Sequence, residues 1–221
     1  MSNNKKNFSV IEIFELGKEK LNKKEFKLAL DIFKNILKVQ PNNSAAYHNC
    51  GVAHKHLNDS QNAINNFELA LKINPSFIAP LHGLALIYGE LGDNKKKEDC
   101  FKKIIKIDPN LENIHNDLGN LYLASGDLQK AANCYEKAIK INPNTKIPYA
   151  NLAICETWLG NLQKAKKIYE KILNKDKPHK DLLAAYGRLL LKLNKHKEGL
   201  NYIRLGQGVI KFKNLNLEIK G

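Results

Sequence analysis

The histidines of this sequence are the first residues to test for metal chemistry. His115-Asn116-Asp117 has the His-x-Asp spacing that supplies half of an iron site with two histidines and one carboxylate. Such sites place the motif on a sheet, whereas here it falls inside a helical pattern that fully accounts for it. His54 and His56 point to different sides of a helix, so they do not form a pair of ligands either. We therefore predict no metal, no cofactor and no catalytic residue.

The cysteines give information about the compartment rather than about catalysis. Cys50, Cys100, Cys134 and Cys155 include no C-x-x-C pair, so they do not suggest zinc. We interpret them as small, partly buried hydrophobic residues in a reducing compartment. The N-terminal residues lack the apolar run and cleavage-like site of a signal peptide, and no stretch of about 18 apolar residues occurs. These features predict a cytoplasmic protein without a membrane span.

Residues 112–145 show which elements must position any functional side chain. Gly126 can adopt the left-handed conformation that ends a helix, Asp127 can cap the next helix, and Pro143 ends it. Two apolar stripes at helical spacing flank this break. They are formed by Leu118, Leu121 and Tyr122, and by Ala131, Tyr135, Ala138 and Ile139. The segment is therefore predicted to be a helical hairpin.

This hairpin recurs along the chain. Residues of one type return every 34 positions: Pro41, Pro75, Pro109 and Pro143; Phe33, Phe67, Phe101, Tyr135 and Tyr169; Ala29, Ala63, Ala131 and Ala165. A 34-residue period with this pattern is a signature of tetratricopeptide repeats (TPR). From about Val10 to about Arg204 the chain is identified as a member of that family. The resemblance implies an all-α fold, a right-handed α-solenoid of about five to six TPR helical hairpins, and a role in binding other proteins.

The repeat period sets the predicted boundaries. We predict a polar leader over residues 1–9, a solenoid over 10–205 and a short tail over 206–221. The tail alternates apolar and polar residues with the period of a strand, and Asn214 could form a turn. Lys97-Glu98 stands where other second helices have Ala followed by Leu, Ile or Ala, which predicts a looser third hairpin that is the weak point of the array. The repeats are expected at about 10–43, 44–77, 78–111, 112–145 and 146–179, with a degraded capping hairpin at 180–205.

The resemblance also implies where a ligand would bind, because the first helices of such repeats line a concave groove. Asn49, Asp117 and Asn151 share one repeat phase, which is similar to the asparagine ladder of O-linked N-acetylglucosamine transferase repeats. Amides in such a ladder can bind a peptide backbone, although Gly83 interrupts it here. The exposed or packed state of Trp158 is left open. The predicted groove residues are His48, Asn49, His82, Asn116, Asp117, Asn120, Asn151 and Trp158.

The positive charge is concentrated near the C-terminus. The net charge is +14, of which residues 160–221 contribute +10 from 15 basic and 5 acidic side chains. Such a region could attract an anionic surface, RNA or an acidic partner. The candidate basic patch is Lys164, Lys166, Lys167, Lys171 and Arg188.

Three functions are consistent with the sequence. The first is a non-catalytic scaffold or adaptor that binds a protein or peptide ligand in the groove. The second is an accessory or targeting portion of an enzyme whose catalytic domain is separate, since several bacterial families join such repeats to glycosyl-, sulfo- or iron/2-oxoglutarate-dependent domains. The third is anionic-surface or RNA binding by the basic patch, which we rank last because exposed aromatic residues are not interleaved with it.

Overall fold

The computed structural model describes residues 9–174 and 179–207, together with the backbone of 211–213 and 216–218. Two compact units are present, Met1–Pro109 (unit 1) and Asn110–Gly221 (unit 2). The helices of unit 1 are α1 Val10–Asn22, α2 Phe26–Val39, α3 Ser44–His56, α4 Ser60–Ile73, α5 Ile78–Glu90 and α6 Asn94–Ile107. Those of unit 2 are α7 Glu112–Ala124, α8 Leu128–Ile141, α9 Lys146–Trp158, α10 Leu162–Leu173, α11 Lys180–Lys192 and α12 His196–Gln207.

Consecutive helices pair as hairpins, and their ends follow from local sequence. Gly126 has a φ of +81° between α7 and α8, and Asp127 caps α8 by accepting a hydrogen bond from the Lys130 N–H at 3.3 Å. From its residue type alone, Ser44 is a plausible N-cap for the first helix of the second repeat, and this prediction is wrong. Asn43 is the N-cap of α3, because its side chain accepts the Ala46 N–H at 2.9 Å, and Ser44 is the first helical residue.

Unit 1 contains three hairpins, α1/α2, α3/α4 and α5/α6, whose cores depend on aromatic rings packed against glycines. Within this unit, α3 contacts α1 and α5, so the first helices are neighbours. The Phe67 ring of α4 lies so close to Gly51 and Gly83 that a Cβ atom at either glycine would be 2.6 Å from it. Such a contact is shorter than van der Waals packing allows, so this junction requires glycine on both sides.

The third hairpin accommodates a lysine where α2, α4, α8 and α10 have alanine. Lys97 of α6 faces Gly89 of α5, and a Cβ atom at Gly89 would be only 3.1 Å from Lys97 Nζ. The ammonium group also lies 5.9 Å from the centroid of the Phe101 ring. Gly89 therefore provides the space that the long side chain needs.

Unit 2 contains three further hairpins, α7/α8 (hairpin 4), α9/α10 (hairpin 5) and α11/α12 (hairpin 6). Its buried cluster includes Ala153, Ala165, Tyr169, Tyr186, Leu189 and Leu190. In hairpin 6 a Cβ atom at Gly187 would be 2.6 Å from the Gly199 carbonyl oxygen. Gly199 itself occupies the repeat position of Ala131 and Ala165, and a Cβ atom there would be 2.8 Å from the Gly187 carbonyl oxygen, so glycine lets the two backbones approach closely.

Short strands follow α12 in the sequence. β1 Lys211–Lys213 pairs antiparallel with β2 Asn216–Glu218, with Phe212 opposite Leu217. The predicted turn at Asn214 lies outside the described residues. None of the helices in the described part of the chain combines the length and apolar character needed to cross a membrane.

Candidate functional site

Three asparagines and one tyrosine form a hydrogen-bonded group between hairpins 4 and 5, here called the amide cluster. Tyr135 of α8 donates its hydroxyl to Asn120 Oδ1 of α7 at 2.8 Å. Asn151 Nδ2 of α9 donates to the same Asn120 oxygen at 3.1 Å and to Asn116 Oδ1 of α7 at 3.2 Å. Burial raises the pKa of Tyr135, so its hydroxyl remains a proton donor. The four side chains therefore hold one another in fixed orientations.

The amide cluster retains hydrogen-bonding capacity on the solvent side. Asn120 is exposed, whereas Asn116 and Asn151 are partly exposed. Each amide carries two N–H donors and one carbonyl acceptor, and the internal bonds use only part of this set. The remaining donors and acceptors match the alternating N–H and C=O groups of an extended peptide backbone. The cluster is thus chemically suited to bind a peptide.

An apolar pocket of about 350 Å³ lies in the following junction, between hairpins 5 and 6. Ile147, Ala150 and Ile154 of α9 form one wall. Tyr169 and Ile172 of α10, with Leu182 and Ala185 of α11, form the remaining apolar lining, and Lys146, His179 and Asp181 complete it with polar side chains.

The pocket occupies the place in its junction that the amide cluster occupies in the preceding one. At intervals of 34 residues, Asn116, Asn120 and Asn151 correspond to Ala150, Ile154 and Ala185. Small or aliphatic side chains therefore leave open the space that three bonded amides fill one hairpin earlier. In addition, α10 ends at Leu173, two residues short of the position equivalent to Ile141 at the end of α8. Both changes accompany the pocket.

His48 and His82, the two histidines predicted to line the groove, have different environments. His48 of α3 is partly buried, and its ring lies 5.5 Å from the Phe67 ring and 5.2 Å from the Phe77 ring. Its Nδ1 atom is buried and has no hydrogen-bond partner among the described residues. Burial lowers the pKa of His48 to about 4, so the ring is neutral at pH 7. His82 of α5 is partly exposed.

The predicted asparagine ladder does not occur as a row of equivalent contacts. Asn49 Nδ2 donates to the Ala45 carbonyl within its own helix at 2.9 Å, whereas Asn151 bonds to another helix. Asp117 of α7 is partly exposed. Trp158, at the end of α9, has an exposed fraction of 58%. Its indole is therefore accessible, one helical turn beyond Ile154 of the pocket wall.

Most of the predicted basic patch is engaged in local pairs. Lys166 Nζ lies 3.2 Å from Glu170 Oε1, and Lys171 Nζ donates to the Tyr149 hydroxyl at 2.9 Å. Lys164 Nζ lies 2.7 Å from Glu136 Oε1 and 2.6 Å from Glu156 Oε1. Lys167 and Arg188 are exposed. The five residues thus do not form a uniform set of uncompensated charges.

Sequence reasoning missed the buried carboxylate of Glu156. This side chain of α9 has an exposed fraction of 2%, and Asn161 Nδ2 donates to its Oε2 at 2.8 Å, opposite the Lys164 ion pair. The repeat phase contained the signal. The residue equivalent to Glu156 in the preceding repeat is Tyr122, which is buried. Lys130 Nζ lies 5.3 Å from the centroid of the Tyr122 ring. A carboxylate at such a position implies a buried ion pair.

The four cysteines and the histidine of the His-x-Asp motif are buried. Burial raises the pKa of Cys50 to about 12 and those of Cys100 and Cys155 to about 11, which disfavours the reactive thiolate. His115 is buried within α7. In the part of the chain that the structure describes, no group of three or more His, Cys, Asp and Glu side chains is arranged to hold a metal ion.

Comparisons with known proteins complete this description. Sequence models of the tetratricopeptide repeat match residues 44–77, 79–111, 113–145 and 151–177. A comparison with curated proteins gives no match.

Several solved structures have a similar fold. A tetratricopeptide repeat protein from Parabacteroides merdae superposes with a TM-score of 0.72 at 19% identity, over 90% of this chain and 79% of its own. MamA gives 0.66 at 22% identity, over 75% of this chain and 91% of its own. YrrB, described as a TPR protein with an unusual peptide-binding site, gives a TM-score of 0.69 at 17% identity, over 80% of this chain and 92% of its own. At these identities the similarity establishes the fold alone.

Proposed function

The chain belongs to the tetratricopeptide repeat family, and from this premise we propose that it is a non-catalytic scaffold or adaptor that binds a protein or peptide partner. The binding surface in unit 2 is the face formed by α7 and α9. We place the protein in a reducing compartment such as the cytoplasm, because its four cysteines are free thiols.

The amide cluster is the observation that carries this proposal. Asn116, Asn120 and Asn151 are ordered by bonds to one another and to Tyr135, so little side-chain entropy is lost when a ligand binds. Their unused donors and acceptors can bind main-chain groups without regard to the partner's side chains. YrrB is described as having a peptide-binding site, and the proposal extends peptide binding to this chain.

The two other functions predicted from the sequence have less support. The ion pairs of Lys164 and Lys166 neutralise part of the basic patch, which weakens the argument for RNA or an anionic surface. Pairing of β1 and β2 with a partner sheet would favour the accessory role.

Selection of a random peptide library on the purified protein tests the proposal. Peptides that bind are synthesised, and their affinities are measured by fluorescence anisotropy for wild type and for Asn151→Ala. Asn151→Ala removes an amide of the cluster but leaves the Tyr135–Asn120 bond intact. We expect affinity to fall about tenfold, as the loss of one or two hydrogen bonds implies.

Two further variants make the result specific. Asn133→Ala makes the same change on the exposed side of α8 and should leave the affinity unchanged. Asn49→Ala distinguishes binding by the amide cluster alone from binding by an asparagine ladder that includes Asn49. Only the ladder predicts that this variant loses affinity for the peptide. Failure to select any peptide, or equal affinities for wild type and Asn151→Ala, would contradict binding by the cluster.

A further inference from the structure

We propose that the apolar pocket between hairpins 5 and 6 binds one bulky apolar side chain, of leucine or phenylalanine size, from an acidic peptide segment of the partner. This inference rests on the proposed function and adds a specificity-determining site to it. The amide cluster would bind main-chain groups, and the pocket would select the partner.

The shape and lining of the pocket fit such a side chain. A volume of about 350 Å³ is at the lower end of the range of about 300–1,000 Å³ for binding pockets. Ala150 and Ala185 face it from opposite helices, while Ile154 and Ile172 provide aliphatic contact. Tyr169 is almost fully buried, and burial raises its pKa to about 12, so this part of the lining is neutral. Transfer of an apolar side chain from water into this environment is favourable.

The charges around the pocket favour carboxylates beside that apolar side chain. Lys146 belongs to its lining, and the positive charge of Arg188 acts on the Tyr169 hydroxyl. Asp181 is the acidic residue of the lining, and its carboxylate lies 3.3 Å from His179 Nδ1. Residues 160–221 carry a net charge of +10, so the long-range field has the same sign. Electrostatic complementarity therefore selects an acidic segment over a basic one.

The pocket and the amide cluster are continuous along α9. Ala150 lines the pocket, and the next residue, Asn151, belongs to the cluster. Ile154 extends the pocket wall by one helical turn, toward the exposed indole of Trp158. A single extended peptide can thus contact both sites, with its main chain on the amides and one side chain in the pocket.

Synthetic peptides of defined sequence test the inference on the full-length protein. The probe is an acetylated, amidated heptapeptide with a central leucine flanked by aspartate and glutamate. Two comparators replace the central leucine with serine or the flanking acids with lysine. Binding is measured by calorimetry, by Trp158 fluorescence and by the methyl NMR signals of Ile147, Ile154 and Ile172. We expect the leucine peptide to bind at least about tenfold more tightly than either comparator, and to shift the three methyl signals.

Filling the pocket provides the matched variant. Ala150→Leu places a larger side chain inside it and should weaken binding of the leucine peptide at least about tenfold. Ala79→Leu makes the same change at an exposed position of α5 in unit 1 and should leave binding unchanged. Ile154→Asp serves as a second pocket variant if Ala150→Leu fails to fold, which thermal unfolding would reveal.

Each remaining outcome decides between the two proposals. Selected peptides that lose affinity with Asn151→Ala but not with Ala150→Leu would overturn the pocket and leave the proposed function intact. Equal binding of the leucine and serine peptides would overturn the apolar side chain, and equal binding of the lysine peptide would overturn the acidic segment. No binding of any peptide by the wild type would overturn both proposals. Methyl shifts that depend only on protein concentration would identify a second copy of the chain as the occupant and overturn the peptide.

Discussion

The two junctions of unit 2 use the same repeat positions for opposite chemistry. Between hairpins 4 and 5, Asn116, Asn120 and Asn151 form a hydrogen-bonded cluster with Tyr135. Between hairpins 5 and 6, the equivalent positions carry Ala150, Ile154 and Ala185, and they surround an apolar pocket beside Tyr169. The first junction is polar and filled, whereas the second is apolar and open.

This difference shows which repeat positions define the fold and which are left for function. The buried aromatic of the second helix remains at Tyr135 and Tyr169, and the small residue that it packs against remains at Gly119 and Ala153. The positions on the exposed side of the first helices change freely. In unit 1 the position of Asn116 and Ala150 is occupied by a third type of residue, the neutral ring of His48.

The largest expected effect comes from loosening α9, the helix that both junctions share. Lys164→Met leaves the carboxylate of Glu156 buried, with Asn161 as its one remaining partner among the residues that the structure describes. Removing one partner of a buried ion pair destabilises a protein strongly, and we expect a loss of about 2–4 kcal/mol because Lys164 itself is half exposed. Urea unfolding measures the change. Lys167→Met makes the same substitution at an exposed site of α10 and should change stability by less than about 0.5 kcal/mol. Equal effects of the two variants would contradict a specific role for the pair.

The pH dependence of stability tests the role of His48, the third residue type found at the repeat position of Asn116 and Ala150. The folded pKa of His48 is about 4, below the value of about 6.5 in an unfolded chain, so the unfolded state binds the proton more tightly. The stability that depends on neutral His48 is present above about pH 6.5 and is lost as pH falls toward about 4, by about 2–3 kcal/mol.

His48→Asn, which introduces the residue type of Asn116, should remove this part of the pH dependence. Carboxylates with lowered pKa values also contribute at low pH, but they are common to both proteins and cancel in the difference; they are Glu12, Glu19, Asp59, Asp93 and Asp127. Urea unfolding at pH 7 and at pH 4.5 gives the measurement. Parallel pH profiles for the two proteins would show that His48 is protonated without cost in the folded state.

A smaller effect is expected from removing the central acceptor of the amide cluster. Asn120→Leu leaves the buried Tyr135 hydroxyl without its acceptor and should cost about 2 kcal/mol. Tyr135→Phe removes the hydroxyl as well, so the double variant should cost less than the sum of the two single variants. Thermal unfolding of the four proteins gives the coupling energy. Additive effects would mean that the cluster does not stabilise the junction.

The sequence predicts the repeated part of this structure well and the junctions poorly. The period of 34 residues located the helices, and Gly126 and Asp127 correctly indicated the turn and cap of hairpin 4. The sequence did not distinguish Asn43 from Ser44 as the N-cap of α3, because both residue types suit that position and the backbone angles decide between them.

The contacts between hairpins depend on distances that the repeat phase does not contain. Asn49 and Asn151 have the same phase, yet one bonds to its own helix and the other to the preceding hairpin. Beside the pocket, α10 ends two residues early, and no proline or glycine adjacent to Leu173 indicates this end. The burial of Glu156, by contrast, was predictable, since the equivalent Tyr122 is a large apolar ring.

The smallest expected effect is the most direct test of the comparison between the junctions. Ile154→Asn gives the pocket the residue type that Asn120 has in the amide cluster. Tyr169, which is equivalent to Tyr135, would be the hydrogen-bond partner of the new amide. The lost apolar contact and the new hydrogen bond to the Tyr169 hydroxyl should nearly offset each other, giving a net change below about 1 kcal/mol. In a background of Tyr169→Phe the bond cannot form, so the same substitution should cost about 1 kcal/mol more. A coupling energy of zero would mean that these two positions alone do not determine whether a junction is polar.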